Sequence, residues 1–322
     1  MYDVCAIGDI LVDFTPMEPS PAGNYVYECN AGGTIANLCA AAGKMGLKTL
    51  FVGKIGNDDL GKAIKKSVEK CNVDMSGCSQ DNEAFTTLTF VTLNNGERSF
   101  SFSRKNTADI NLKLEDVPVE KVMDSKILHF SGMCLTNEPV RSTTLHLVKE
   151  AREKGIMITL DVNYRESLWS SSKEAVEVIN DAITYVDIYK SSEEEICLLT
   201  GEDDISKAAE KILSKGVKMV IVSCGPKGAF YKYGDFSGHI NTFDTKPVDT
   251  TGAGDCFMAA ILYQITKYGG IESLTKKDLD SIINFANAAG AQSITKRGGV
   301  SSMPTIDEIE GCMKNVPKLV IS

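Results

Sequence analysis

The sequence has one tryptophan, three histidines and no long apolar run, and these shortages close off several functions. His129, His146 and His239 lie far apart, and none of the ten cysteines forms a C-x-x-C pair, so the spacing of a zinc cage is missing. No stretch reaches the roughly 18 to 20 apolar residues that span a bilayer. The N-terminus enters the strand-like VCAIGDILVDF without a basic leader, so a cytoplasmic protein with no membrane partner is expected. The net charge is −9 and the lysines and arginines are dispersed, which leaves no basic stripe for nucleic acid. Two phosphate-binding signatures are missing as well. No G-x-x-x-x-G-K-[ST] occurs, and no G-x-G-x-x-G follows a strand, so neither a P-loop nor a dinucleotide fold is supported.

What is present is an ordinary globular composition, 43% hydrophobic and 24% charged over 322 residues. Cys5, Cys39, Cys134, Cys197, Cys224 and Cys256 sit inside apolar segments and read as reduced core residues. Strand-like and helical runs alternate through most of the chain. TIANLCAAAGKMG is followed by TLFVGKIG, DLGKAIKKSVEKC, KILHFSG, IMITLDVN, VDIYKS and KMVIVSCG, with amphipathic segments between the later strands. This alternation predicts an α/β domain, one three-layer α/β/α unit over 1–322 around a mostly parallel sheet. Two segments break the pattern and read as antiparallel insertions, about 14–31 and 85–104, the second with Asn95-Gly96 as a hairpin turn. They form either a small β lid over the carboxyl ends of the strands, where open sheets bind ligands, or a plain edge decoration.

The chemistry concentrates in KPVDTTGAGDCFMAAIL, from Lys246 to Leu262. Small residues precede an apolar helix, whose free N–H groups and positive dipole end suit an anion such as a phosphoryl group. Asp255 in that first turn can take a proton from an attacking hydroxyl. On the tetrapeptide G-A-G-D alone, a capping aspartate after turn glycines is the favoured reading.

At full length, DTTGAGDCFMAAIL resembles the C-terminal signature of the PfkB, or ribokinase-like, carbohydrate kinases. AGGTIANLCAAAGKMG resembles the N-terminal signature, and GKIGNDDLGK fits beside it. The resemblance runs from Asp3 to about Pro304 and implies the ribokinase-like fold, with ATP and Mg2+ required. It implies that Asp255 is the base and that Gly252, Ala253 and Gly254 form the anion hole. Asp13, Gly32, Gly33 and Asn37 would bind the sugar. DVNYRESLW resembles a stretch of fructokinases and 2-keto-3-deoxygluconate kinases in which Asn163 and Arg165 line the site, and Arg104 resembles the lid arginine of that subgroup. YKSSEEEICLLTG resembles the N-x-x-E region, with Ser192 in place of asparagine and Glu195 holding magnesium through water. Ser223, Gly225, Gly228 and Asn287 would face the nucleotide. Asp249, Thr251, Ser293, Gly298 and Ser302 match the loop that binds a monovalent cation, K+, in some members. A homodimer through the β lid is a further expectation by analogy.

Leu11 stands where ribokinases carry asparagine, which disfavours ribose. GDILVDF, SRKNTAD and DVNYRESLW together look most like bacterial fructokinases, so the leading expectation is ATP-dependent phosphorylation of D-fructose. A 2-keto-3-deoxygluconate kinase is the alternative, because Arg104 and Arg165 together could clamp a carboxylate. Phe102, where that subgroup often has tyrosine, tilts towards a neutral sugar. A non-catalytic sugar-binding relative is the reading from another class, and the complete G-A-G-D argues against it.

Overall fold

The computed structural model describes residues 1–94 and 97–320, so the turn expected at Asn95-Gly96 lies outside the described residues. The strands are β1 (Tyr2–Ile7), β2 (Leu11–Pro16), β3 (Tyr27–Gly32), β4 (Thr49–Gly56), β5 (Val73–Asp81), β6 (Leu88–Asn94), β7 (Glu97–Ser103), β8 (Ser125–Ser131), β9 (Met157–Asp161), β10 (Ile188–Ser192), β11 (Met219–Ser223), β12 (Ala229–Tyr233) and β13 (Phe236–Ile240). The helices are α1 (Thr34–Lys44), α2 (Asp59–Glu69), α3 (Val119–Met123), α4 (Val140–Glu153), α5 (Ser172–Ile183), α6 (Glu193–Thr200), α7 (Ile205–Leu213), α8 (Ala253–Tyr268), α9 (Lys276–Ser293) and α10 (Ile306–Asn315).

Nine strands form the main sheet in the order β13-β12-β11-β10-β9-β8-β1-β4-β5. All its pairs are parallel except β11–β12 and β12–β13, which close one edge as a meander. Successive residues of each central strand enter opposite cores, because side chains alternate across a sheet. Val4 and Ala6 of β1 join the core under α1, α2, α8, α9 and α10, while Cys5 and Ile7 join the core under α4 to α7. This is the expected three-layer arrangement. Five of the six cysteines read as core residues are buried, and Cys197 is half-exposed.

The smaller sheet runs β3-β2-β6-β7. Both hairpins, β2–β3 and β6–β7, are antiparallel as the sequence suggests, but they join along a parallel pair, β2 with β6. The strand β2 begins at Leu11 rather than at Phe14, because the chain leaves β1 at Ile7 and crosses only a short turn before pairing again. One face of this sheet carries Leu11, Asp13, Thr89, Phe100 and Phe102 into a cleft at the carboxyl ends of the parallel strands. The other face carries an aromatic cluster of Phe14, Tyr27 and Phe90.

Candidate active site

Between lid and main sheet lies a cleft of about 940 Å³, and the N-terminus of α8 forms one wall. Gly252 precedes that helix at φ 77°, a left-handed conformation that only glycine adopts without strain. A side chain there would also strike Met303 at 2.7 Å. Gly252, Ala253, Gly254 and Asp255 all line the cleft, so it meets the positive N-terminal end of α8, where the Ala253 amide donates to the Thr250 carbonyl at 3.3 Å.

Asp255 sits 7% exposed in this wall. Its Oδ2 accepts from Asn37 Nδ2 at 2.9 Å, and its Oδ1 from Asn163 Nδ2 at 3.3 Å. Burial and the nearby Asp161 push its carboxyl up to about 7, against the opposing pull of Asn37 and Lys190. Across the cleft, Asp13 on β2 is likewise pushed to about 7 by burial and by Asp9, Asp249 and Asp255. Gly32 on the neighbouring strand leaves room for the Asp13 carboxyl, because a Cβ there would stand 2.1 Å from Asp13 Oδ2 and displace it. Gly33, at φ 104°, lets the chain turn into α1 over the Asp9 carbonyl and brings Asn37 to face Asp255.

Asn163, at φ 41°, leads the loop after β9 into the cleft. Arg165 lines the cleft too, but its guanidinium folds back on its own loop, donating to the Tyr164 carbonyl and Asn163 Oδ1, each at 2.9 Å. Glu195 ties that loop to α6. Its Oε1 accepts from the Tyr164 amide at 2.7 Å and its Oε2 from the Ser192 amide at 2.8 Å, while Ser192 caps the helix by accepting from the Glu195 amide. A helix-capping role and a place on the cleft wall thus coexist in Ser192 and Glu195. Burial, with Asp161 nearby, raises the Glu195 carboxyl.

A profile of the pfkB family carbohydrate kinases matches residues 1–306. The chain belongs to this family. It is therefore a phosphotransferase that acts on a sugar hydroxyl. Among its relatives, fructokinase-1 of Zea mays is 36% identical over 313 residues, covering 95% of this chain and 96% of that protein. The fructokinase of Vibrio cholerae O395, in a form with bound fructose, ADP and calcium ion, superposes with a TM-score of 0.86 at 29% identity over 97% of this chain and 99% of that one. A putative ribokinase II from E. coli in complex with ATP and Mg2+ gives a TM-score of 0.87 at 26% identity, over 98% and 99% of the two chains.

Other expected site residues of this kinase lie beside the cleft rather than on its wall. Arg104 follows β7 but is buried, with Nε on Asp109 at 2.6 Å, Nη1 on Thr136 Oγ1 at 2.8 Å and Nη2 on the Met133 carbonyl at 3.1 Å. It supports the wall from behind through Met133, and the expected lid arginine is thus held beneath the lid rather than on it. Ser223 stands opposite Ser192 in the β10–β11 pair, and its hydroxyl donates to the Ser191 carbonyl. Gly225 and Gly228 shape the turn after β11 at φ 53° and 98°. Asn287 on α9 donates its side-chain amide to the Ile240 carbonyl at 2.8 Å and so ties the helix to β13.

Asp249 joins two of the other expected monovalent-cation residues, Thr251 and Gly298. Its two oxygens accept from the Thr251 amide at 2.9 Å and the Gly298 amide at 3.1 Å. The hydroxyls of Ser293 and Ser302 point at their own backbones, to the Gly290 and Gly299 carbonyls.

Among the wall residues that escaped the sequence reading, three are charged. Asp9, Asp161 and Lys190 all line the cleft: Asp9 lies just beyond β1, Asp161 closes β9, and Lys190 sits in the middle of β10 beside Asp161. For Asp9 and Asp161 the available signal was a charged residue closing an apolar strand, which is where open α/β sheets present ligand-binding groups; Lys190, inside its strand, gave no such signal.

Proposed function

We propose that this kinase transfers the γ-phosphoryl group of ATP to the 6-hydroxyl of D-fructose, giving fructose 6-phosphate and ADP. The observation that carries this reading is Asp255. It is a buried carboxylate in the first turn of a phosphate-binding helix terminus, held between two asparagines and facing Asp13 across a lidded cleft. A group with its carboxyl near 7 is suited to accept a proton at neutral pH. The sugar oxygen attacks the γ-phosphorus, the bond to the β–γ bridging oxygen breaks, and the hydroxyl proton passes to Asp255. The amides of Gly252, Ala253 and Gly254 face the charge that develops on the migrating group. Asp13, with Gly32, Gly33 and Asn37 around it, orients the sugar, since an ionised carboxylate accepts from two hydroxyls at once.

The choice of a neutral ketose over a sugar acid rests on the arginines. Arg104 is committed to Asp109, and Arg165 to its own loop, so these two arginines form no guanidinium clamp for a carboxylate. Phe102 offers a ring and no hydroxyl beside them. The fructokinase names of the relatives support the same choice.

Ser223, Gly225, Gly228 and Asn287 would form the nucleotide side of the site, next to Ser192. The donors at Glu195 and Ser192 are hard oxygens on the cleft wall, which suits magnesium held through water. The ion would supply charge neutralisation on the ATP phosphates. The Asp249, Thr251 and Gly298 cluster, with Ser293 and Ser302 contributing carbonyls, would take a potassium ion. We also read the aromatic face of the lid, where Tyr27 is 38% and Phe90 36% exposed, as the surface through which two copies pair. No described helix is long and apolar enough to cross a membrane, and a cytoplasmic location completes the reading.

The test is ATP-dependent phosphorylation of fructose, 2-keto-3-deoxygluconate, ribose and adenosine by the purified protein with magnesium, with and without potassium. A preference for fructose of about a hundredfold in kcat/KM, roughly 2.7 kcal/mol of differential transition-state binding, is expected. A preference for the keto-acid would overturn the substrate assignment.

A further inference from the structure

The cleft has a charge imbalance that the reaction above does not resolve. Its walls carry five carboxylates, from Asp9, Asp13, Asp161, Glu195 and Asp255, against two basic side chains, Lys190 and Arg165. Such a surface repels the triphosphate that must bind there. Arg165 is turned back on its own loop. Lys190 is not.

Lys190 lies on β10, 5% exposed, with Nζ 2.7 Å from Asp161 Oδ2. Register explains the pairing, since Lys190 and Asp161 are direct neighbours across β9 and β10. The ammonium also abuts the first turn of α8: a methyl group placed on Gly254 would stand 3.0 Å from Nζ. Gly254 therefore leaves open the space in which the lysine reaches the helix terminus. A fixed cation, the amides of α8 and the carboxylate of Asp255 thus converge on one point of the wall.

We propose that Lys190 is a catalytic residue of this kinase. Its ammonium binds a non-bridging oxygen of the migrating phosphoryl group and offsets the charge that builds up in transfer, keeping all of its own protons throughout. The proposal rests on the reading of the site as a phosphoryl-transfer site, and it explains two features together. A buried lysine is costly unless paired, and Asp161 supplies the partner while the site is empty. The same pairing holds the ammonium against the helix terminus, where its charge needs no reorganisation at the moment of transfer.

The plain structural alternative is that Lys190 only neutralises Asp161, and the experiment separates the two. For Lys190→Met, kcat should fall about 100-fold or more, the loss typical of a removed transition-state donor. The dissociation constants of fructose and of MgADP should stay within about threefold, and affinity for the MgADP–aluminium fluoride complex should drop by a factor comparable to that in kcat. Lys190→Arg, which keeps the charge, should recover at least about tenfold of the lost rate. Retention of kcat within about fivefold in Lys190→Met would overturn the proposal. So would loss of ligand binding in step with kcat, with Lys190→Arg no better than Lys190→Met.

Should Lys190→Met fail to fold, Lys190→Met with Asp161→Asn removes both charges. It is then compared with Asp161→Asn alone by the same analogue affinity, and equal affinities would refute the role. Turnover of fructose by the wild-type protein reports separately on the functional reading. Binding of the aluminium fluoride complex reports on Lys190 whichever sugar is used.

Discussion

At the scale of single residues, the site works because its acidic groups are held in environments that keep them near neutrality. Asp255, pushed up to about 7 chiefly by burial, should give kcat/KM an acid limb near that pH, with activity rising as the carboxyl loses its proton. Asn37 donates to Oδ2 and stabilises the charged form, so Asn37→Ala should move this limb to higher pH, as read from a pH–rate profile. Asp255→Asn should lower kcat by about three orders of magnitude or more while fructose binding, followed by calorimetry, stays within a few-fold. A variant with near-normal turnover would remove Asp255 from its role. Asp13 carries a stability consequence of the same physics. Its carboxyl, raised to about 7 by burial and neighbouring acids, binds a proton more tightly in the folded chain than in the unfolded one. That contribution favours folding at low pH and is lost as pH rises through about 7. Asp13→Asn should therefore melt at a higher temperature than the wild type at pH 8, with the difference shrinking towards pH 4 in thermal scans.

At the scale of elements, glycines and caps place the helices that carry the site. Gly43 on α1 lies against the chain that leaves α2, and a Cβ would meet the Cys71 carbonyl at 2.2 Å. Backbone cannot swing aside as a side chain can. Gly43→Ala should therefore destabilise by about 1–3 kcal/mol in urea titrations, although alanine is the better helix former. The lid is tied to the main body by a second device. Asp58 caps α2 by accepting from the Gly61 amide, and its other oxygen accepts from the Thr86 amide at the approach to β6. Asp58→Ala removes both bonds and should cost about 1–2 kcal/mol by chemical denaturation, with hydrogen exchange at Thr86 accelerated. If exchange there is unchanged, Asp58 acts as a helix cap alone.

At the scale of the whole molecule, the arrangement is a rigid three-layer body with a lid, and ligands that bridge the two should stabilise it through mass action. Fructose and MgADP together at about 100 times their dissociation constants should add roughly 2.7 kcal/mol per site to the unfolding free energy, read as a rise in Tm. Much of this architecture could be read in the residues. The β-α alternation gave the layered sheet, the composition before α8 gave the start of that helix, and the two segments that break the alternation gave the hairpins of the small sheet. These are local properties, because hydrophobic period, turn chemistry and helix-terminus composition are written in adjacent residues. Other features needed the packed chain. The parallel join of β2 with β6, the anchoring of Arg104 on Thr136 and Met133, and the meeting of Lys190 with Asp161 and Gly254 each bring together segments remote in sequence. Sequence by itself determined which side chains were available and on which elements they stand. Only the tertiary structure decided which way the arginines turn and which charges meet, because the cost of burying a charge depends on the partners that packing supplies.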